Sequence, residues 1–230
     1  MDLCSLIRNF EPKNLTTYTD MKTLEEIFAA KLLNVKAIKL QPTNPFTWAS
    51  GWKSPFYCDN RKTLSYPELR TFVKIEIARI IQERYPEAEA IAGVATGAIP
   101  QGALVADALS LPFVYVRSKP KDHGLENLIE GELKPSSKVV VVEDLISTGG
   151  SSLKAVEALR RAGYEVCGMV ASYTYGFDVA SKAFADAQVE LTTLTNYEAV
   201  VAQALKTGYI KQEEVALLNE WRQNPSQWQG

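Results

Sequence analysis

Apolar residues follow two alternating patterns between residues 90 and 195. Runs that are apolar almost without interruption are typical of strands buried on both faces of a parallel sheet, and they cover 90–96, 112–118, 138–144 and 165–173. A fifth candidate strand covers 189–195. Helical spacing of apolar residues occurs between these strands, at 98–109, 151–162 and 178–187. Strand and helix in alternation predict an α/β fold, with a mostly parallel twisted sheet flanked by helices.

The chain on either side of this alternating region has a different pattern. Residues 22–34 and 65–85 have the spacing of amphipathic helices, and Pro86 ends the second one. Three prolines between residues 41 and 57 exclude a regular helix there. Two further helices are predicted before Pro225. We expect one compact domain overall, with an N-terminal segment over 1–64 and a core with C-terminal helices over 65–230.

Composition narrows the class of protein. The chain has 230 residues, of which 46% are hydrophobic and 23% charged, as in ordinary globular proteins. A net charge of -2 without a dense basic stripe argues against duplex nucleic acid as a partner. No apolar run reaches the roughly 18 to 20 residues that span a membrane, and the start of the chain does not resemble a signal peptide, so we expect a cytoplasmic protein. Three cysteines without a CxxC pair indicate neither a disulfide framework nor a zinc site.

Chemistry is concentrated in the sequence VVVVEDLISTGGSS, residues 139–152. Ligands of open parallel sheets bind at the carboxyl ends of the strands, where Glu143 and Asp144 are expected. Adjacent carboxylates repel one another, which favours a ligand with hydroxyl groups or a cation. The small residues that follow, at the start of a helix, suit a phosphate monoester but lack the GKS or GKT ending of a triphosphate-binding loop. Together these features predict a phosphorylated ribose, whereas the simpler alternative is a helix capped by Ser151.

A second candidate site is a basic segment. Arg117, Lys119, Lys121 and His123 place four potential cations within seven residues, and Gly124 favours a loop. A loop that closes over a departing polyanion stabilises its charge and expels water. His123, the only histidine, could also donate a proton to the leaving group. Solvated surface charge is the alternative interpretation.

These motifs resemble those of a known family. VVVVEDLISTGGS matches the phosphoribosyl pyrophosphate (PRPP) signature of the type I phosphoribosyltransferases. Within that family, orotate phosphoribosyltransferases are similar in three further stretches: FTWASGWKSPFYCDNR (46–61) to their orotate segment, GVATGAIPQGA (93–103) to their pyrophosphate loop, and VRSKPKDHG (116–124) to their mobile catalytic loop. The resemblance implies the type I phosphoribosyltransferase fold with an N-terminal hood segment, residues 1–64 here. It also implies Mg2+-dependent transfer of the phosphoribosyl group from PRPP to N1 of orotate, in pyrimidine biosynthesis.

The resemblance further implies roles for individual residues. It assigns catalysis to Lys121, His123 and Asp144, and it implies that Asp144 holds Mg2+ mainly through PRPP and water. PRPP binding falls to Thr96, Gly97, Arg117, Lys119, Lys121, His123, Glu143, Asp144, Leu145, Ile146, Ser147, Thr148, Gly149, Gly150 and Ser151. Orotate binding falls to Ser50, Phe56, Tyr57, Arg61, Thr148 and Tyr175. Members are homodimers whose mobile loop reaches the neighbouring subunit's site.

This sequence departs from the family pattern at several positions. Ala49 and Ser118 stand where many members have lysine, and Thr96 stands where some have lysine. YTYGF (173–177) replaces an Asp-Arg pair that is often found after this strand and whose arginine faces orotate. We therefore expect backbone N–H groups with Arg61 or Tyr175 to offset the missing cations. Core packing is the alternative role for Phe56 and Tyr57. A transferase for another base, or a PRPP-sensing regulator, is the alternative function.

Overall fold

The computed structural model describes residues 22–47, 53–119 and 128–228. Within these ranges the central sheet has six strands in the order β10-β9-β8-β5-β6-β7. They are β5 (Ala90–Val94), β6 (Phe113–Val116), β7 (Ile129–Glu130), β8 (Lys138–Ile146), β9 (Glu165–Thr174) and β10 (Leu191–Asn196). All neighbouring pairs are parallel except β6 and β7. The predicted mostly parallel sheet is confirmed, and β7 is an edge strand that the sequence pattern did not predict.

The valine run of β8 is buried on both faces of the sheet. Val140 and Val142 belong to one buried cluster, and Val139 and Val141 belong to a second cluster on the opposite face. All four side chains have no exposed surface. A strand that is covered on both faces needs apolar side chains at every position.

Helices cover both faces of the sheet. The helices are α1 (Leu24–Asn34), α2 (Pro67–Arg84), α3 (Ile99–Leu109), α4 (Gly150–Arg161), α5 (Asp178–Asp186), α6 (Tyr197–Lys206) and α7 (Gln212–Gln223). Buried residues of α4 and α5 pack on one face, and those of the other five pack on the opposite face. These positions confirm the predicted helices to within two residues wherever bounds were given. None of the helices within the described ranges could cross a membrane.

The described part of the hood segment contains two short antiparallel pairs. β1 (Ile38–Leu40) pairs with β4 (Phe56–Cys58), and β2 (Phe46–Thr47) pairs with β3 (Lys53–Ser54). A 3₁₀ helix, Asn60–Ser65, then leads into α2. The absence of a regular helix in the described part of 41–57 agrees with its prolines. The hood and α1 share a core cluster with α2 and α6. The predicted boundary after residue 64, between the N-terminal segment and the core, stays a prediction.

Candidate active site

The end of β8 differs from its predicted position. β8 continues to Ile146, so Leu145 and Ile146 belong to the strand and the loop begins at Ser147. Ile146 has no exposed surface, and its carbonyl accepts a hydrogen bond from Tyr175 N (3.0 Å). Leu145 lies beside the candidate base cavity described below. Only Ser147 and the residues after it can therefore form the predicted phosphate loop.

Helix α4 begins without a side-chain cap. Its N-cap is Gly149, in a left-handed conformation (φ 81°), so the alternative interpretation with Ser151 as the cap is wrong. A side chain at Gly149 would be strained at this φ, and its Cβ would lie 2.8 Å from the Phe184 ring. Thr148, Gly150 and Ser151 are exposed. An exposed helix N-terminus with free backbone N–H groups attracts an anion.

The two acids of the motif have different surroundings. Glu143 is buried, and its carboxylate accepts hydrogen bonds from Ser152 Oγ (2.7 Å) and from Asp144 N (2.9 Å). Burial, with a smaller contribution from the nearby Asp144 charge, raises the pKa of Glu143 to about 8. Asp144 is only half-buried, and its backbone carbonyl accepts a hydrogen bond from Asn60 Nδ2 (2.6 Å). Glu143 thus links β8 to α4, while the Asp144 carboxylate remains nearer the open edge of the sheet.

The Asp144 carboxylate lies against the loop between β5 and α3. A Cβ atom at Gly97 would be 2.0 Å from Asp144 Oδ2 and 2.4 Å from its Cγ, so only glycine leaves room for this carboxylate. The Ala95–Thr96 peptide bond is cis, and Thr96 is exposed. The structure therefore brings the predicted pyrophosphate loop and the second acid of the motif together.

The predicted basic segment is described only in part. Arg117 follows β6 at the same edge of the sheet, and its Nη1 lies 3.5 Å from Glu130 Oε1. Lys119 is exposed. Lys121 and His123, the two predicted catalytic residues of this segment, lie outside the described residues, as does Ser50.

A cavity of about 450 Å³ separates the hood from the ends of β8 and β9. Its lining includes Phe46, Thr47, Tyr57, Cys58, Leu145, Ser147 and Tyr175. Tyr57 and Tyr175, which were predicted to contact the base, both line this cavity, and their role in binding stays a prediction. Cys58 was not predicted to line the site. Burial, with a smaller effect of the Asp144 charge, raises the pKa of its thiol well above the usual value. We call this space the base cavity.

Phe56 and Arg61 differ from their predicted positions. The Phe56 side chain has no exposed surface and stacks on Tyr173 and Trp221, so it supports the base cavity from the core and cannot contact a ligand directly. The Arg61 side chain is 63% exposed and forms two contacts with Asp59, Nε–Oδ1 at 2.7 Å and Nη2–Oδ2 at 3.1 Å. The hydrogen bond from Arg61 lowers the pKa of Asp59. In this structure Arg61 thus pairs with Asp59, and its expected role in facing orotate stays a prediction.

A second cavity of about 660 Å³ adjoins the base cavity and shares Ser147 with it. Thr148, Gly176 and Phe177 line it, together with Arg222 of α7. Sequence reasoning did not find Arg222, because nothing in the pattern of α7 indicates which strand its side chains approach. We call this space the outer cavity.

Comparison with known proteins shows the family of the chain. The family model for the phosphoribosyl transferase domain matches residues 69–206. The orotate phosphoribosyltransferase of Bacteroides fragilis is 76% identical over 209 residues, which cover 91% of this chain and 99% of that protein. That of Lactococcus lactis subsp. cremoris is 52% identical over 207 residues, covering 90% and 99%. The crystal structure of orotate phosphoribosyltransferase from Aeropyrum pernix superposes with a TM-score of 0.69 at 29% identity, covering 80% of this chain and 99% of that one. The chain therefore belongs to the orotate phosphoribosyltransferase family.

Proposed function

We propose that this chain transfers the 5-phosphoribosyl group of PRPP to N1 of orotate, giving orotidine 5'-monophosphate and pyrophosphate. Membership of the family makes it a transferase of pyrimidine biosynthesis. The observation that carries the residue assignment is the Asp144 carboxylate against Gly97, at the sheet edge where the exposed N-terminus of α4 and the base cavity meet. One edge of the sheet thus offers a carboxylate, an anion site and an aromatic pocket.

The ribose phosphate half of PRPP fits the loop between β8 and α4. Backbone N–H groups from Thr148 to Ser151 hold the 5-phosphate at the start of α4, where the helix dipole favours negative charge. Asp144 accepts hydrogen bonds from the ribose hydroxyls. Glu143 was predicted to share this task, but its bonds to Ser152 Oγ and Asp144 N support a different one, in which it fixes Asp144 relative to the phosphate site.

The pyrophosphate half carries the charge that develops during the reaction. Thr96 and Gly97 hold it from one side, and Arg117 with Lys119 approach from the end of β6. Lys121 and His123 complete the site, with His123 protonating the leaving group. Cations fixed around the leaving oxygen stabilise the transition state more than the ground state, because negative charge builds there as the bond to C1 lengthens.

Mg2+ suits the residues at this edge. The described ranges hold no group of three or more His, Cys, Asp or Glu side chains that could bind a metal alone. Mg2+ usually keeps several waters and binds through one or two carboxylates and the phosphates of its substrate, so Asp144 is a sufficient protein ligand. Bound there, Mg2+ would neutralise charge on pyrophosphate.

The base cavity positions orotate for attack. A planar ring between Tyr57 and Tyr175 would present N1 toward the ribose at Asp144. N1 attacks C1 on the face opposite pyrophosphate, and no side-chain nucleophile is needed because positioning and charge stabilisation supply the rate.

Orotate consumption, followed by its ultraviolet absorbance, tests the reaction. Consumption should require both PRPP and Mg2+, and a panel of adenine, hypoxanthine and uracil should react far more slowly. A preference for one of these bases would contradict the choice of orotate. No consumption of any base would contradict the transferase assignment.

We further propose that the chain forms a cytoplasmic homodimer. In this dimer the loop with Lys121 reaches the active site of the partner subunit. If the segment with Lys121 acts in the partner's site, the variants Lys121→Ala and Asp144→Asn should each be inactive alone. Mixing and refolding them together should restore up to about a quarter of the activity per site, because one site of each hybrid dimer holds both native residues. A mixture that stays inactive, with hybrid dimers demonstrated by mass spectrometry, would contradict loop sharing.

A further inference from the structure

The turn after β9 forms a wall shared by the two cavities. Tyr175 lines the base cavity, while Gly176 and Phe177 line the outer cavity. The Tyr175 side chain is almost fully buried, and its ring stacks on that of Phe177 with 5.3 Å between centroids. Any displacement of this turn would therefore change the width of the base cavity.

Arg222 of α7 holds this turn from the side away from the base. Its Nε donates a hydrogen bond to the Tyr175 carbonyl (3.3 Å) and its Nη2 donates one to the Gly176 carbonyl (3.0 Å). Gly176 has a φ of 64°, and a Cβ there would lie 3.0 Å from Arg222 Nη2. The left-handed backbone favours glycine, and the absence of a side chain lets the guanidinium approach the turn closely.

The guanidinium is itself held in place. Glu198 Oε1 lies 2.5 Å from Arg222 Nη2, and the guanidinium lies 5.1 Å from the centroid of the Tyr197 ring. The adjacent Trp221 is fully buried and packs edge-on against Tyr175, with centroids 5.8 Å apart. α7 therefore contacts the turn through both a buried ring and a fixed cation.

Hydrogen bonds from a cation are stronger than neutral ones, and the planar fork of arginine can reach two carbonyls at once. Lysine offers a single point charge and cannot reproduce this geometry. Without the guanidinium, both carbonyls must bond to water, and of the two contacts described above only the Trp221 ring still joins α7 to the turn. The wall of the base cavity would then be held by fewer contacts and could shift.

We propose that Arg222 is a positioning residue for the base, which acts by fixing the turn that carries Tyr175. This inference rests on the proposed function. It also addresses the departure from the family pattern at residues 173–177, because a cation from α7 contacts the turn in which the frequent Asp-Arg pair is absent. The expected signature is a loss of orotate affinity without an equal loss of PRPP affinity.

Four variants test the role: Arg222→Met, Arg222→Lys, Glu198→Gln and the control Arg79→Met. Arg79 on α2 also forms ion pairs with two glutamates, Glu76 and Glu83, but is not in the site. Arg222→Met should raise KM for orotate about tenfold and change KM for PRPP less than threefold. Arg222→Lys should give an intermediate rise. Glu198→Gln should have a small effect because both carbonyl bonds remain, and Arg79→Met should leave all constants unchanged.

The outcomes separate the inference from the proposed function. Equal rises in both KM values, or an unchanged KM for orotate in folded Arg222→Met, would overturn the positioning role. If Arg222→Met does not fold, Arg222→Lys decides in the same way, since a selective rise in KM for orotate supports the role and no rise overturns it. Failure of the native chain to consume orotate with PRPP and Mg2+ would instead reject the proposed function.

Discussion

A methyl group added at Gly97 would enter the space of the Asp144 carboxylate. The added Cβ would lie 2.0 Å from Asp144 Oδ2, its nearest neighbour, whereas ordinary contacts begin at 3.4 Å, so this oxygen must move by at least the difference of 1.4 Å. Turning a short side chain costs about 0.5 to 1.5 kcal/mol. A displacement of about 1 Å in a catalytic constellation can lower the rate about 10²-fold, which corresponds to about 2.7 kcal/mol of transition-state stabilisation.

We therefore predict that Gly97→Ala folds normally and loses about 10²-fold in kcat/KM for PRPP. Urea unfolding should report a loss of no more than about 1.5 kcal/mol, and the orotate absorbance assay should report the loss of activity. The control is Gly168→Ala in β9, where the added Cβ would lie 2.5 Å from Tyr85 Oη and 2.6 Å from its Cζ. That clash is with a buried ring, so we expect a loss of about 1 to 3 kcal/mol in unfolding free energy and unchanged activity per folded molecule.

Gly97→Ala should thus lose activity and keep most of its stability, whereas Gly168→Ala should lose stability and keep its activity per folded molecule. Native activity in Gly97→Ala would refute the reasoning, because it would mean that the position of Asp144 does not matter for the reaction. Activity lost only in proportion to unfolded protein would refute it as well, because Gly97 would then have a structural role alone.

Three further predictions concern other parts of the chain. Lys121→Ala should reduce kcat far more than it weakens orotate binding, measured by steady-state kinetics and equilibrium titration, and unchanged turnover would exclude its proposed catalytic role. Tyr173→Phe should raise the unfolding free energy by about 1 kcal/mol, because the buried Tyr173 hydroxyl has no hydrogen-bond partner in the described structure. Tyr197→Phe should lower it by about 1 kcal/mol, because that hydroxyl donates to Leu218 O (2.8 Å), and equal urea midpoints for the two would contradict this contrast. Alkylation of Cys58, followed by peptide mass spectrometry, should be slower at pH 7.5 than that of a free thiol, because its raised pKa keeps the thiolate scarce. The alkylation rate should rise about tenfold per pH unit up to pH 9, and a plateau near pH 8 would contradict this.

The fold could be predicted from the sequence because its determinants are local or periodic. Uninterrupted valines in β8 mean burial on both faces, and alternation with helices then fixes a parallel sheet. The order of motif residues also placed Asp144 and the α4 loop at one edge, since strand ends collect there. These inferences need no knowledge of which side chains meet across the fold.

Details of the site depend on distant contacts and could not be predicted in the same way. Glu143 and Asp144 are adjacent in sequence, but alternating strand geometry directs one toward Ser152 and leaves the other near Gly97. Arg61 lies in the segment that resembles the orotate site, yet Asp59 pairs with it locally. The link from Arg222 to Gly176 spans 46 residues, and no local pattern signals it.

The stacking of Phe56 on Trp221 joins distant parts of the chain, with 6.1 Å between parallel ring centroids. Ribosomal synthesis delivers the hood early and α7 late, so Phe56 can pack on Tyr173 of the sheet before its contact with Trp221 can form. A nascent chain arrested before residue 221 would thus hold a nearly finished sugar-phosphate half beside an incompletely supported nucleobase half. Competence to select the acceptor would arise last in biogenesis, after the donor site.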